Sequence, residues 1–105
     1  MEGIMRGKQK RYLRSQAHNM RPVFQIGKDG LSTEWLKQVE EAVEKRELIK
    51  VNILQNSIIE PEEVVAFLAE HSKIEVVQVI GHVLVLYKKS SKPQNRHYSL
   101  EVEAL

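Results

Sequence analysis

Apolar residues along this chain alternate between helical and extended spacings, and their order predicts an α/β domain. From about Lys8 to Asn19, Leu13, Ala17 and Met20 recur at spacings of four and three, with Met5 and Tyr12 nearby on the wheel. This is a helix with a narrow apolar arc, for which Gly7 is the only available cap and a weak one. Arg21-Pro22 ends it, because proline lacks a donor and biases its predecessor to extended geometry. A strand at about Val23 to Ile26 runs into the turn Gly27-Lys28-Asp29-Gly30. Ser32 or Thr33 then caps a helix reaching about Arg46, with Trp35, Leu36, Val39, Ala42 and Val43 as its buried stripe.

Leu48 to Leu54 is β-branched and aliphatic and reads as a second strand, broken at Asn56 and Ser57. Pro61 suits a first helical position, Glu62 and Glu63 complement the dipole, and Val64, Val65, Phe67 and Leu68 form the apolar side of a helix ending near His71. A third strand spans about Glu75 to Ile80. Gly81-His82 then links it to a fourth, Val83 to Lys88, as a type II′ hairpin. The order helix, strand, helix, strand, helix, strand, strand is that of a single two- or three-layer α/β domain with right-handed crossovers. Beyond residue 89 the chain is polar and punctuated. Residues 90–105 are therefore expected as a mobile basic tail with a possible short strand near 97–100.

The Gly-x-x-Gly turn admits two readings. Two glycines let the backbone bend sharply and approach a ligand, the following helix start offers unpaired N–H groups, and Lys28 adds a mobile cation, which together make a phosphate cradle. The same spacing also serves a plain strand-to-helix turn. Charge bears on the choice. Residues 1–30 carry seven Lys/Arg against two acids, residues 31–80 carry five against ten, and residues 81–105 carry four against two. Both ends are basic around an acidic centre, the footprint of a polyanion-binding face backed by a solvated one. In the first helix Arg6, Lys8, Lys10, Arg11 and Arg14 form a cationic ridge, and no acid occurs between Gly3 and Lys28.

Other chemistry is sparse. The chain has no cysteine, Asp29 is its sole aspartate, and His18, His71, His82 and His97 lie far apart. No metalloprotease, Walker, nucleophile-elbow or dinucleotide fingerprint appears, so no enzyme, metal or cofactor is expected. No apolar run approaches the roughly 18 residues of a membrane span, and the basic N-terminus lacks a signal peptide's apolar core, so the expected location is cytoplasmic with no membrane partner.

Taken together, Gly7-Lys8-Gln9-Lys10-Arg11-Tyr12-Leu13, Ala17-His18, Arg21-Pro22, Ile26-Gly27-Lys28-Asp29-Gly30-Leu31, Glu47-Leu48-Ile49-Lys50-Val51 and Val79 to Tyr87 resemble the CRM domain, in its stand-alone bacterial YhbY/YqeI-like form. The likeness covers about residues 4–89, so residues 1–89 are taken as the domain. It implies a mixed four-stranded sheet with the hairpin strand inserted, like the C-terminal domain of translation initiation factor three. It also implies RNA binding and association with large-subunit ribosomal RNA precursors. Carried over by position, the contacts are Gly27, Lys28, Asp29 and Gly30 in the loop and Lys8, Lys10, Arg11 and Arg14 on the helix. Arg21, Lys88 and Lys89 complete the candidate set. Many relatives have a neutral residue where this chain has Asp29, a carboxylate that can cap the next helix or compete with phosphate.

The leading expectation is thus a non-enzymatic module that docks structured ribosomal RNA through phosphate contacts. A protein-interaction module gripping an acidic partner or ribosomal protein by the same face is the alternative, and duplex DNA is a weaker variant. Tyr12 and Tyr98 are the only aromatics left for base stacking, and packing is the favoured role for both.

Overall fold

In a computed structural model that describes residues 5–28 and 30–105, the expected elements occur in the expected order. They are α1 (Gly7–Ala17), β1 (Phe24–Ile26), α2 (Thr33–Arg46), β2 (Leu48–Ile53), α3 (Pro61–His71), β3 (Glu75–Ile80) and β4 (Val83–Tyr87), followed by a 3-10 turn (Pro93–Asn95) and α4 (Tyr98–Ala104). The sheet order is β1-β2-β4-β3, with β1 parallel to β2 and β4 antiparallel to both neighbours. The hairpin turn folds β4 back between β2 and β3. Gly81 has φ +56° while His82 is not left-handed, as a type II′ turn requires.

Strand alternation divides two apolar clusters between the faces of the sheet. On one face α2 and α3 bring Val39, Val43, Val64 and Leu68 against Ile26, Ile49, Val51, Ile53, Leu84 and Leu86. On the other, α1 and α4 bring Leu13, Ala17 and Val102 against Leu48, Val77, Val85 and Tyr87. The architecture is therefore a three-layer mixed α/β sandwich. Leu13 is fully buried, and truncating it to alanine is expected to cost about 2–5 kcal/mol through lost transfer energy and the cavity left behind. Ala42 and Phe67 are half-buried and Val65 is exposed, so the helical stripes are narrower than their spacing implied.

The start of α1 differs from expectation. Arg6, not Gly7, is the N-cap, and its N–H donates to Gln9 Oε1 at 2.8 Å, so Arg6 leaves the helical ridge. Gln9 Nε2 in turn donates to the Val102 carbonyl on α4 at 2.8 Å.

The strand expected near residues 97–100 is corrected. Residues 97–100 form no strand, since Tyr98–Ala104 is helical, and the segment packs back onto the domain through Val102 and Tyr98. Its anchor is Glu47, a fully buried carboxylate with φ +65° that accepts the N–H groups of Ser90 (2.8 Å), His97 (2.7 Å) and Ser99 (3.0 Å). Glu44 accepts the hydroxyls of Ser90 and Ser91, each at 2.8 Å, and the Ser91 N–H. A left-handed non-glycine residue costs roughly 1–2 kcal/mol. The three charge-assisted bonds work against both that cost and the burial of the carboxylate, and hold the ionised form in place.

Candidate nucleic-acid interface

The glycine loop sits at the C-terminal end of β1, at one end of the sheet. Leu54 N–H donates to the Ile26 carbonyl and Ile53 N–H to the His82 carbonyl, so this end also gathers the β2–α3 connection and the hairpin turn. The loop closes on itself through Gly30 N–H to the Gly27 carbonyl at 3.0 Å. One of the main-chain donors expected for phosphate is therefore consumed within the turn. Gly30 has φ +70°, a conformation that favours glycine, and a side-chain carbon added there would meet Ile59 at 3.5 Å. Gly27 lies outside the left-handed region, and its added carbon would meet only Leu54 Cδ1 at 3.6 Å. Lys28 is exposed on the turn, and the role of Asp29 lies outside the described residues.

Ser32 caps α2 by accepting the Trp35 N–H at 3.1 Å, and the Trp35 indole donates to the Gln25 carbonyl at 3.2 Å. This side-chain clamp ties the helix start to β1. It accounts for a core-anchoring tryptophan rather than a base platform, and Glu34 in the first turn places a carboxylate at the helix N-terminus.

On α1 the direction of each cation follows from helix geometry. Taking Leu13 as facing the sheet, Gln9 lies roughly 40° to one side, whereas Lys10 and Arg14 lie roughly 60° and 100° to the other. Gln9 touches α4, so Lys10 and Arg14 border the side away from it. Lys8, Arg11 and Arg14 are exposed, while Lys10 is half-buried and its charge acts on Glu75 at the start of β3. Burial pushes the Glu75 carboxyl up, and Lys10 opposes that shift.

Beyond α1, toward the loop end, one row of side chains crosses the sheet: Gln25, Asn52, Val83 and Ile80 in register. Ile80 is 59% exposed, and Asn52 Oδ1 finds no hydrogen-bond partner among the described residues. The row shares the α1 face of the sheet and its two outer members, Gln25 and Ile80, are exposed, while Asn52 Oδ1 is buried within it.

Three candidates lie at the end of the sheet away from the glycine loop, although Lys88 and Lys89 line a cavity beside the start of α1 with Met5 and Gln9. Lys88 and Lys89 follow the C-terminal end of β4, opposite the glycine loop, and Lys89 is ion-paired to Glu103 at 2.6 Å. Arg21 precedes β1, also at that far end. There it lines a cleft with Lys45, Arg46 and Lys50, three cations that sequence reasoning missed. Read along the chain, Lys45 and Arg46 merely end a helix and Lys50 alternates within a strand. Only the parallel pairing of β1 with β2 brings them beside Arg21.

Tyr12 and Tyr98 both pack against the α1-side cluster, and burial pushes the Tyr12 phenol up, aided by Glu101 and Tyr98. Among the described residues no group of three His, Cys, Asp or Glu is placed to hold a metal ion, and no helix is long and apolar enough to cross a membrane.

Comparison with known proteins adds a consistent set of likenesses. The CRS1 / YhbY (CRM) domain matches residues 5–88. Over 89 residues the chain is 47% identical to the "Probable RNA-binding protein YqeI" of Bacillus subtilis, covering 85% of this chain and 93% of that one. Over 85 residues it is 35% identical to an "RNA-binding protein" of Haemophilus influenzae, covering 81% and 86% respectively. The solution structure of a hypothetical protein from Staphylococcus aureus, 46% identical, superposes with a TM-score of 0.71 over 90% of this chain and 98% of that one.

Proposed function

This chain belongs to the CRS1/YhbY (CRM) domain family, and from that premise we propose that it is a non-enzymatic RNA-binding protein whose exposed α1 cations and glycine loop grip RNA phosphates. The observation that carries the reading is a set of exposed cations on α1 and the loop. Among the described residues the ion pairs are His71–Glu70 at 3.9 Å and Lys89–Glu103 at 2.6 Å, and neither involves Lys8, Arg11, Arg14 or Lys28. A ridge serving only solubility carries both signs, whereas cations outside those pairs, on an exposed helix face and loop, suit a polyanion.

The loop's share comes from Lys28 and close backbone approach at Gly27, with the Gly30 N–H excluded as a donor. Binding of this kind reads shape and backbone more than sequence. The RNA we assign is ribosomal RNA of the large-subunit precursor, met in the cytoplasm. Sedimentation of cell extract at low and high salt, followed by crosslinking, tests the assignment. The chain is expected to travel with immature large subunits at low salt, to leave them at high salt and after nuclease treatment, and to crosslink to large-subunit RNA. Association that survives nuclease would instead favour a protein partner.

A further inference from the structure

At the end of the sheet opposite the glycine loop, a cleft of about 520 Å³ opens between the segment entering β1, the last turn of α2, the start of β2 and the C-terminal segment. Arg21, Lys45, Arg46 and Lys50 line it together with His97 and Tyr98, and among the described residues no carboxylate does. Its size falls within the range that holds small organic ligands.

Glu41, four residues before Lys45, lines the adjoining groove with Val23, Lys45 and Arg46, and the acids nearest to the cleft are held by the C-terminal segment. Glu47 is spent on the N–H groups of Ser90, His97 and Ser99, and Glu44 on the hydroxyls of Ser90 and Ser91. Lys50 Nζ donates to the carbonyls of His18 (3.3 Å) and Met20 (3.1 Å), which fixes the cleft's inner wall. Arg21, Lys45 and Arg46 are exposed and unpaired among the described residues. The helix dipole accounts for cations in the last turn of α2. It does not account for Arg21 and Lys50, which arrive from two other elements.

The remaining wall is apolar. Val23, 42% exposed, and Met20 stand at one side, and the half-buried Tyr98 ring, edge-on to His97 at 4.9 Å, closes the other. We propose that this cleft binds one phosphorylated nucleoside, its phosphate held by Arg21, Lys45 and Arg46 and its base resting against Tyr98 and Val23. Such a pairing of cations and aromatic surface is suited to a nucleotide. The unit is either part of an RNA strand or a free nucleotide. His97 and Tyr98 lie beyond the residues 5–88 matched to the family, so the site is completed by the C-terminal segment. Val23 and Gly27 are separated by roughly 13 Å of extended chain, which makes the cleft distinct from the glycine loop.

The test uses the full ¹⁵N-labelled chain titrated with adenosine 5′-monophosphate, with inorganic phosphate at matched ionic strength, and with a short 5′-phosphorylated single-stranded RNA. Adenosine monophosphate is expected to shift the amides of Arg21, Val23, Arg46, Lys50, His97 and Tyr98. The double variant Arg21→Gln with Arg46→Gln, both exposed, is expected to lose about tenfold in affinity with its core amides unmoved. In the Lys8→Gln, Arg11→Gln, Arg14→Gln background, RNA that moves the cleft amides at concentrations tenfold or more below those of the mononucleotide assigns the unit to a strand, and equal affinity at those amides assigns it to a free nucleotide. Absence of shifts at millimolar adenosine monophosphate, or equal binding of bare phosphate, overturns the proposal. Variants at Lys28, Lys10 and Arg14 are expected to leave these shifts intact, so failure here is separable from failure of the α1 and glycine-loop reading.

Discussion

The Glu47 carboxylate accepts the N–H of Ser99 at 3.0 Å across 52 positions of sequence, and so caps the C-terminal helix from the entrance of β2. Because the same side chain also holds Ser90 and His97, it is the anchor of the last sixteen residues. Glu47→Gln keeps the shape but halves the acceptor capacity and removes the charge. It is expected to destabilise the fold by about 2–3 kcal/mol in urea unfolding. Hydrogen exchange at Ser90, His97 and Ser99 should accelerate before exchange in β2 and β4. A variant as stable as the parent would show that the carboxylate is not the anchor.

Acid should loosen the same segment. Side-chain and backbone hydrogen bonds from Ser90 and Ser91 hold the Glu44 carboxyl down at about 2. Burial works to raise Glu47, but the N–H groups of His97, Ser90 and Ser99 bring it below the usual carboxylate range. Both folded-state values lie below the unfolded value, so their stabilisation is complete above about pH 4.5 and is lost as pH falls toward 2. Glu44 faces solvent and contributes the smaller part. Glu75, raised by burial, runs the other way and offsets some of the loss. Amide exchange and melting followed from pH 6 to pH 2.5 are expected to show the C-terminal segment loosening first. A Tm that is flat across that range would contradict the account.

The two loop glycines should separate structure from binding. Gly30→Ala forces an L side chain to φ +70° and is expected to cost about 1–2 kcal/mol of stability. Gly27→Ala meets only an ordinary contact with Leu54, and its stability should stay within about 0.5 kcal/mol of the parent. Weaker RNA binding by Gly27→Ala at unchanged stability would then report close approach of a phosphate to the loop. Unchanged binding would remove Gly27 from the interface.

The element order was legible because each segment carried its own signal. Pro61 at a helix start, Gly81 in a hairpin turn and Ser32 as a cap act locally, and all three stand where their chemistry placed them. What stayed hidden depended on contacts distant in sequence. Tyr98–Ala104 is too short to show helical spacing by itself and is stabilised by Glu47, whose burial and left-handed φ no local pattern announces. Likewise only strand direction shows that Lys88 and Lys89 stand at the far end of the sheet from Lys28 while bordering the start of α1. The α1 cations were legible as a ridge, but that Lys10 faces Glu75 emerges only when α1 is laid across β3.

The central claim is that the exposed face of α1 binds RNA phosphates, and its most direct test is the salt dependence of RNA affinity. The triple variant Lys8→Gln, Arg11→Gln, Arg14→Gln alters only exposed side chains, so its fold should be retained. Against a structured fragment of large-subunit ribosomal RNA, the plot of log K against log salt should become shallower by about 2 to 3, since each lost phosphate contact removes roughly 0.7–0.9 from the slope. A variant that binds with the parent's affinity and the parent's slope would contradict the account.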